Sequence, residues 1–304
     1  MNANECWFLG ECMIELRRAG EGLLRQSFAG DVYNTAVYFH RSARTRRTCF
    51  VSAAGTDSMS QSLLAQAGKH GIDAGYVKTG GTRPPGLYLI EISQEGERSF
   101  LYWRTESAAR QMLDAAHVDM LRAHVAACGL FYFSGISLAI LDDERRRHLL
   151  ALASSVKASG GWVGFDSNYR PGLWQRREDA RYWSDCALAV ATHALVTFDD
   201  EAQLHGDASP ADTLSRTLAT GLAETVVKLG KDGCLLQTSA MDRMLAVPAE
   251  RADPVDTTAA GDSFNGAYLA ARLCGAPPAD AAKAGTELAA RVIRVAGAII
   301  DEGE

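Results

Sequence analysis

The residues best equipped to do chemistry lie near the C-terminus, in Asp256-Thr257-Thr258-Ala259-Ala260-Gly261-Asp262-Ser263-Phe264. The stretch follows an expected strand end and opens an expected helix. Small residues at 259 to 261 let the backbone turn sharply and approach a ligand closely. Amides in the first turn of a helix have no intrahelical acceptor, and the helix dipole adds positive potential, so Ala259, Ala260 and Gly261 are expected to form an anion hole. Asp262 sits in the same turn, where the dipole is expected to keep its carboxylate ionised. A carboxylate beside an anion hole can take the proton of an attacking hydroxyl while the amides hold a transferring phosphoryl group. A first-turn acid that merely caps a helix is the bland counterpart. The full nine-residue string is more specific than that.

Three further segments could serve such a centre. In Ala29-Gly30-Asp31-Val32-Tyr33-Asn34, Gly30 permits close backbone approach, and Asp31 and Asn34 offer directional hydrogen bonds to hydroxyl groups. The same residues also read as an Asp-capped helix starting near Val32. In Phe165-Asp166-Ser167-Asn168-Tyr169-Arg170-Pro171, extended geometry projects Asp166, Asn168 and Arg170 to one side. Open α/β sheets bind ligands beyond such strand ends, although a surface turn stopped by Pro171 reads equally simply. Tyr102 and Arg104 alternate with Trp103, so in a strand they share a face. Arginine there and at 170 suits a carboxylate, through planar charge-assisted hydrogen bonds. No G-x-x-x-x-G-K-[ST] occurs, since Gly230-Lys231 is followed by Asp232. No complete G-x-G-x-x-G occurs either, which sets aside P-loop and dinucleotide-binding architectures.

The elements that must position these residues read as α/β. The chain has 304 residues, 47% apolar and 22% charged, enough for one large domain spanning 1–304. Short apolar runs at Phe131–Ser134, Trp162–Asp166, Leu195–Thr197 and Thr225–Leu229 alternate with helix-period segments, including Arg145–Ala158, Asp262–Leu273 and Asp280–Ala296. This pattern predicts a mostly parallel sheet flanked by helices. Gly86–Ile92 and Arg98–Trp103 flank a turn at Gln94–Glu97 and read as a hairpin. With the stretch from Cys12 to Phe28 they could form a small antiparallel sheet, a lid made of about 12–28 and 86–104. Ordinary edge strands of the main sheet are the other reading.

A net charge of −6 argues against a nucleic-acid binder. Seven cysteines at wide spacings, with no C-x-x-C, point to reduced thiols. The N-terminus lacks a basic region, and no run approaches the ~20 apolar residues of a membrane span. The expectation is a cytoplasmic protein with no membrane partner.

The Asp256–Phe264 string resembles a signature of the ribokinase-like, phosphofructokinase-B type carbohydrate kinases, in which the last Asp is the catalytic base and the small residues before it form the anion hole. Ala259 stands where the family has Gly; its amide remains useful provided φ stays negative. The segment from Ala29 resembles the family's sugar-binding motif, with Ala29 in place of its first Gly. Lys228-Leu229-Gly230-Lys231-Asp232-Gly233 looks like the family's nucleotide loop, which a plain Gly-rich turn would also explain. The resemblance implies ATP and Mg²⁺ as cofactors, with Asn168, Lys228, Gly230, Gly233 and Asp256 on the nucleotide. Glu201 is a candidate to reach the metal through water, with Phe198 where relatives carry Asn; these acids may instead cap a helix. Gly10–Leu16, Pro85–Tyr88, Gly96–Arg104, Ser134–Leu141 and Asn168–Pro171 are similar to the family members that act on 2-keto-3-deoxygluconate. That implies a sugar-acid site lined by Gly30, Asp31, Asn34, Tyr88, Tyr102, Arg104 and Arg170, and a 6-phosphate product. A kinase of a neutral sugar such as fructose or ribose, and a catalytically silent sugar-acid binder, are the alternatives. An exposed-edged lid sheet could pair, so a homodimer or higher homo-oligomer is expected.

Overall fold

The computed structural model describes residues 4–92 and 98–301. Its strands, in chain order, are β1 (Glu5–Leu9), β2 (Met13–Gly20), β3 (Leu23–Ala29), β4 (Arg47–Gly55), β5 (Val77–Gly81), β6 (Leu87–Ile92), β7 (Arg98–Trp103), β8 (Cys128–Ser134), β9 (Trp162–Asp166), β10 (His193–Thr197), β11 (Glu224–Lys228), β12 (Cys234–Thr238) and β13 (Leu245–Val247). Nine of them form one sheet in the order β13-β12-β11-β10-β9-β8-β1-β4-β5. Pairing is parallel from β11 to β5, and β12 and β13 add an antiparallel edge.

The central strands are apolar on both faces because both faces are covered. Alternate residues divide cleanly: Trp7, Leu9, Phe131 and Phe133 enter one core, with the Asp143–Ala158 and Arg177–Val190 helices. Their neighbours Cys6, Phe8, Leu130 and Tyr132 enter the other, with the Asp31–Ser42 and Ala260–Leu273 helices. The result is three layers, as expected. β11 ends at Lys228, one residue before the expected Leu229, which leaves extended geometry to lead into Gly230 at φ 57. The last helix runs Pro278–Val292, shorter than the expected Asp280–Ala296 at its C-terminal end. Proline supplies its first turn. Beyond it, the Ile293 carbonyl turns to accept the amides of Val255 at 2.7 Å and Asp256 at 3.0 Å.

β3-β2-β6-β7 form a separate sheet. It is mixed, not antiparallel as expected, because β2 and β6 run parallel while the other two pairings are antiparallel. They are joined by a long crossover through the core domain, which a tight hairpin could not provide. The turn at Gln94–Glu97 lies outside the described residues. The first helix starts at Asp31 with Gly30 as its N-cap, so the Asp-capped start near Val32 is not adopted. A Cβ at Gly30 would sit 2.1 Å from the Glu11 carbonyl, which explains the glycine.

The Asp31–Ser42 and Ala260–Leu273 helices cross at Gly266, where an added Cβ would lie 2.8 Å from both the Phe39 nitrogen and the Thr35 carbonyl oxygen. Those are backbone atoms and cannot step aside. Gly266→Val should therefore force the helices apart, at about 1–3 kcal/mol. At roughly 2 °C or more per kcal/mol, the melting temperature should fall measurably by calorimetry. An unchanged melting temperature would mean the crossing is not tight.

Candidate active site

The Ala260–Leu273 helix delivers its first turn to the carboxyl ends of the parallel strands, where open α/β sheets bind ligands. Ala259 caps it at φ 61, ψ 14. The expected negative φ is not observed. A left-handed alanine costs on the order of 1–2 kcal/mol, so the surroundings must enforce it. Asp256 is part of that enforcement. Its Oδ1 accepts the Thr258 amide at 2.9 Å, and its Oδ2 accepts the Gly297 amide at 2.9 Å. Asp256 is buried and lines neither cavity described below, so its carboxylate secures the loop rather than facing a nucleotide. The Ala260 amide makes a long 3.3 Å bond to Thr257, while those of Gly261 and Asp262 have no backbone acceptor among the described residues. The amides most open to an anion are thus one residue further along than 259–261.

Two cavities meet at this tip. One, of about 1080 Å³, lies under the small sheet and is lined by Asp31, Tyr102, Arg104, Asn168, Arg170 and Asp262 among others. The second, of about 950 Å³, lies against Gly230, Lys231, Gly233, Phe264 and Ala290. Ala260 and Gly261 line both.

Asp262 Oδ2 accepts the side-chain amide of Asn34 at 2.9 Å, and Asn34 Oδ1 accepts the Gly30 amide at 3.3 Å. Asn34 is buried, and both ends of its amide are engaged, so it orients Asp262. Asp31 Oδ2 accepts Ser134 Oγ at 2.5 Å and Asn168 Nδ2 at 2.8 Å. Asn168 holds φ 33, stabilised by its own amide on Asp166 Oδ1 at 3.3 Å. Asn168 therefore faces the cavity under the small sheet, not the one expected for nucleotide. Burial, and then the nearby Asp31, push Asp262 up to about 8, with Asp166 adding and Asn34 and Lys228 opposing. The expectation that the helix terminus keeps it ionised is not met, because burial first, and then the neighbouring carboxylates, outweigh the dipole.

The remaining expected residues divide. Tyr88 contributes its ring, but its hydroxyl donates to buried Glu15. Arg104 is buried and donates Nη2 to Glu11, with Tyr102 beneath its guanidinium at 5.8 Å. Its charge is thus already partnered. Arg170 is exposed and held by the Tyr169 carbonyl at 2.9 Å and Asp200 at 3.4 Å. Gly230 and Gly233 carry φ 57 and 93, which explains both glycines. Glu201 is fully buried, donated to by Arg216, and absent from the cavity wall. It sits behind the site, since Phe198 turns into the core and the Phe198–His205 helix presents Asp199 and Asp200 to the cavity instead. Burial first raises Asp200 to about 6.

Sequence reasoning passed over Asn265, Ser134, Glu11 and Glu15. Asn265 donates to Asp166 Oδ2 at 2.7 Å and to Tyr132 Oη at 2.9 Å. Its position three residues after Asp262 places both on one helix face, which is the signal that could have found it.

Known proteins resemble the chain throughout. The profile of the pfkB family carbohydrate kinases matches residues 3–303. The 2-dehydro-3-deoxygluconokinase of Dickeya dadantii (strain 3937) is 41% identical over 304 residues, covering 99% of this chain and 98% of the relative. The solved 2-dehydro-3-deoxygluconokinase of Thermotoga maritima superposes with a TM-score of 0.86 at 18% identity, covering 97% of this chain and 94% of the other. An E. coli protein solved in complex with ATP and Mg²⁺ gives 0.83 at 20% identity, covering 97% and 94%. At those identities the two structures speak for the fold, which is ribokinase-like. With a catalytic-type carboxylate, open amides and two adjoining cavities in place, the profile and the 41% relative make this chain a member of the pfkB family of carbohydrate kinases.

Proposed function

We propose that the protein transfers the γ-phosphoryl group of ATP to the 6-hydroxyl of 2-keto-3-deoxygluconate, with Asp262 as general base. The observation that carries this is the position of Asp262 and the open Gly261 and Asp262 amides at the boundary between two cavities. The sugar acid occupies the cavity under the small sheet, which acts as a lid, and ATP the cavity beside Gly230 and Gly233. Asp262 takes the hydroxyl proton as the sugar oxygen bonds to the γ-phosphorus. The bond from phosphorus to the bridging oxygen breaks, and ADP leaves with that electron pair. The amides hold the phosphoryl oxygens in flight, where positioning and charge carry most of the catalysis.

Acid recognition falls mainly to Arg170. Arg104 is neutralised by Glu11 and serves to shape the wall, whereas the Arg170 guanidinium is open to the cavity. No three acidic, Cys or His side chains converge on a metal position among the described residues. Mg²⁺ fits here as an ion carried in on the ATP phosphates, with Asp199 and Asp200 as the acids open to its waters. When bound it supplies charge neutralisation. The local work of orienting the base belongs to Asn34 and that of fixing the loop to Asp256.

ADP release by the purified protein should be fastest with 2-keto-3-deoxygluconate, ahead of fructose and ribose. Faster turnover of a neutral sugar would reject the substrate. Asp262→Asn should lower kcat at least ~10²-fold while sugar binding persists. Near-normal turnover would remove Asp262 as the base. Because burial and then Asp31 push the Asp262 carboxyl up to about 8, the rate with both substrates subsaturating should rise with pH through that value. The slope should approach about tenfold per unit well below it. A flat profile between pH 6 and 9 would contradict the raised proton affinity.

A further inference from the structure

We propose that Lys228 is a further catalytic residue, the cation that accompanies the phosphoryl group across the helix tip, and that Asp166, Asn265 and Tyr132 are positioning residues for it. The proposal rests on the kinase reading above. Among the described residues, Lys228 is the one charged side chain that lines both cavities; Arg104 and Arg170 line only the first, and Lys231, Arg251 and Arg294 only the second. A phosphoryl group moving from one cavity to the other crosses the wall that Lys228 shares with Pro254, Thr257, Ala260 and Gly261. Its ammonium stands beside the open-amide turn: a Cβ built on Gly261 would lie 3.5 Å from Lys228 Nζ. It arrives there from the last residue of β11, with its stem buried.

A buried lysine on a flexible stem needs a fixed partner, and here it has a chain of them. Nζ donates to Asp166 Oδ2 at 2.8 Å. The same oxygen accepts Asn265 Nδ2 at 2.7 Å, and Asn265 also donates to Tyr132 Oη at 2.9 Å. Asn265 is fully buried, and its helix carries Asp262 one turn earlier. One rigid element therefore sets both the base and the anchor of the cation. An ammonium has three N–H donors, and Asp166 takes one, so others are left for phosphoryl oxygens. A preorganised charge of this kind needs no rearrangement as negative charge spreads over the transferring group. In the step itself Lys228 keeps its protons. The sugar hydroxyl proton goes to Asp262, the new P–O bond forms to the sugar, and the old one leaves with ADP.

Lys228→Met alone would strand the buried Asp166 carboxylate, so the test is the Asp166→Asn/Lys228→Met double variant, which replaces the pair with neutral groups. Its kcat should fall at least ~10²-fold on whichever sugar the wild type turns over best. Sugar KM, and ADP affinity by calorimetry, should stay within about threefold. ADP with aluminium fluoride and the sugar, which mimics the phosphoryl group in flight, should bind the wild type more tightly than ADP alone and lose that advantage in the variant. Asn265→Ala keeps both charges and tests the positioning array; kcat should fall about tenfold with sugar KM unchanged. A double variant with kcat within about threefold of wild type would overturn the proposal, as would ADP affinity falling in step with kcat, or Asn265→Ala with wild-type kcat. If the wild type prefers a neutral sugar, the substrate reading fails, yet these comparisons still decide the role of Lys228.

Discussion

Three carboxylates crowd one ammonium at a helix tip, and the rest of the architecture is arranged around keeping them there. Asp166 is ion-paired to Lys228 at 2.8 Å, Asp31 is held by Ser134 and Asn168, and Asp262 is held by Asn34. Burial, and then the neighbouring Asp31 and Asp166 carboxylates, raise the proton affinity of Asp262. The cost falls on Asp262, which has no ion-pair partner among the described residues. A protein selected only for stability would not assemble this cluster. One that must take a proton from a hydroxyl near neutral pH has reason to, because a base with a raised proton affinity is a better acceptor than an ordinary aspartate.

Each member comes from a different strand end or helix start, so the sheet is what makes the cluster possible. β8 ends at Ser134, β9 at Asp166 and β11 at Lys228, while the Asp31–Ser42 and Ala260–Leu273 helices bring Asp31, Asn34 and Asp262. The tight crossing at Gly266 fixes the distance between Asn34 and its carboxylate. The small sheet closes the other side of the cavity with Tyr88 and Tyr102, anchored by Glu15 and by the Glu11–Arg104 pair. The Glu11–Arg104 pair ties the end of β7 to the turn after β1, and the Glu15–Tyr88 bond ties β2 to β6 within the small sheet.

Much of this was readable from residue types in order. The strands showed as apolar runs because both faces of the sheet are buried, and the helix tip showed because small residues before an acid have few other uses. What could not be read were the partnerships. Arg104 and Tyr88 look free for a ligand in sequence, but Glu11 and Glu15, some 93 and 73 residues away, engage them. Asn34 reads as a sugar contact until Asp262 is brought beside it from 228 residues on. The left-handed Ala259 was invisible for a different reason: it is imposed by Asp256 gripping Thr258 and Gly297 against the local preference of alanine. Local pattern shows what a residue can do; only the tertiary neighbours decide which of those capacities remains open.

The chemistry rests on the proton affinity of the Asp262 carboxylate. Carboxyl ¹³C NMR of aspartate-labelled protein, with Asp262→Asn to assign the resonance, reads it directly. A titration centred near pH 8 for Asp262 is the predicted result. A titration at the ordinary aspartate value of about 4 would contradict it, and would mean that neither burial nor the neighbouring carboxylates perturb Asp262.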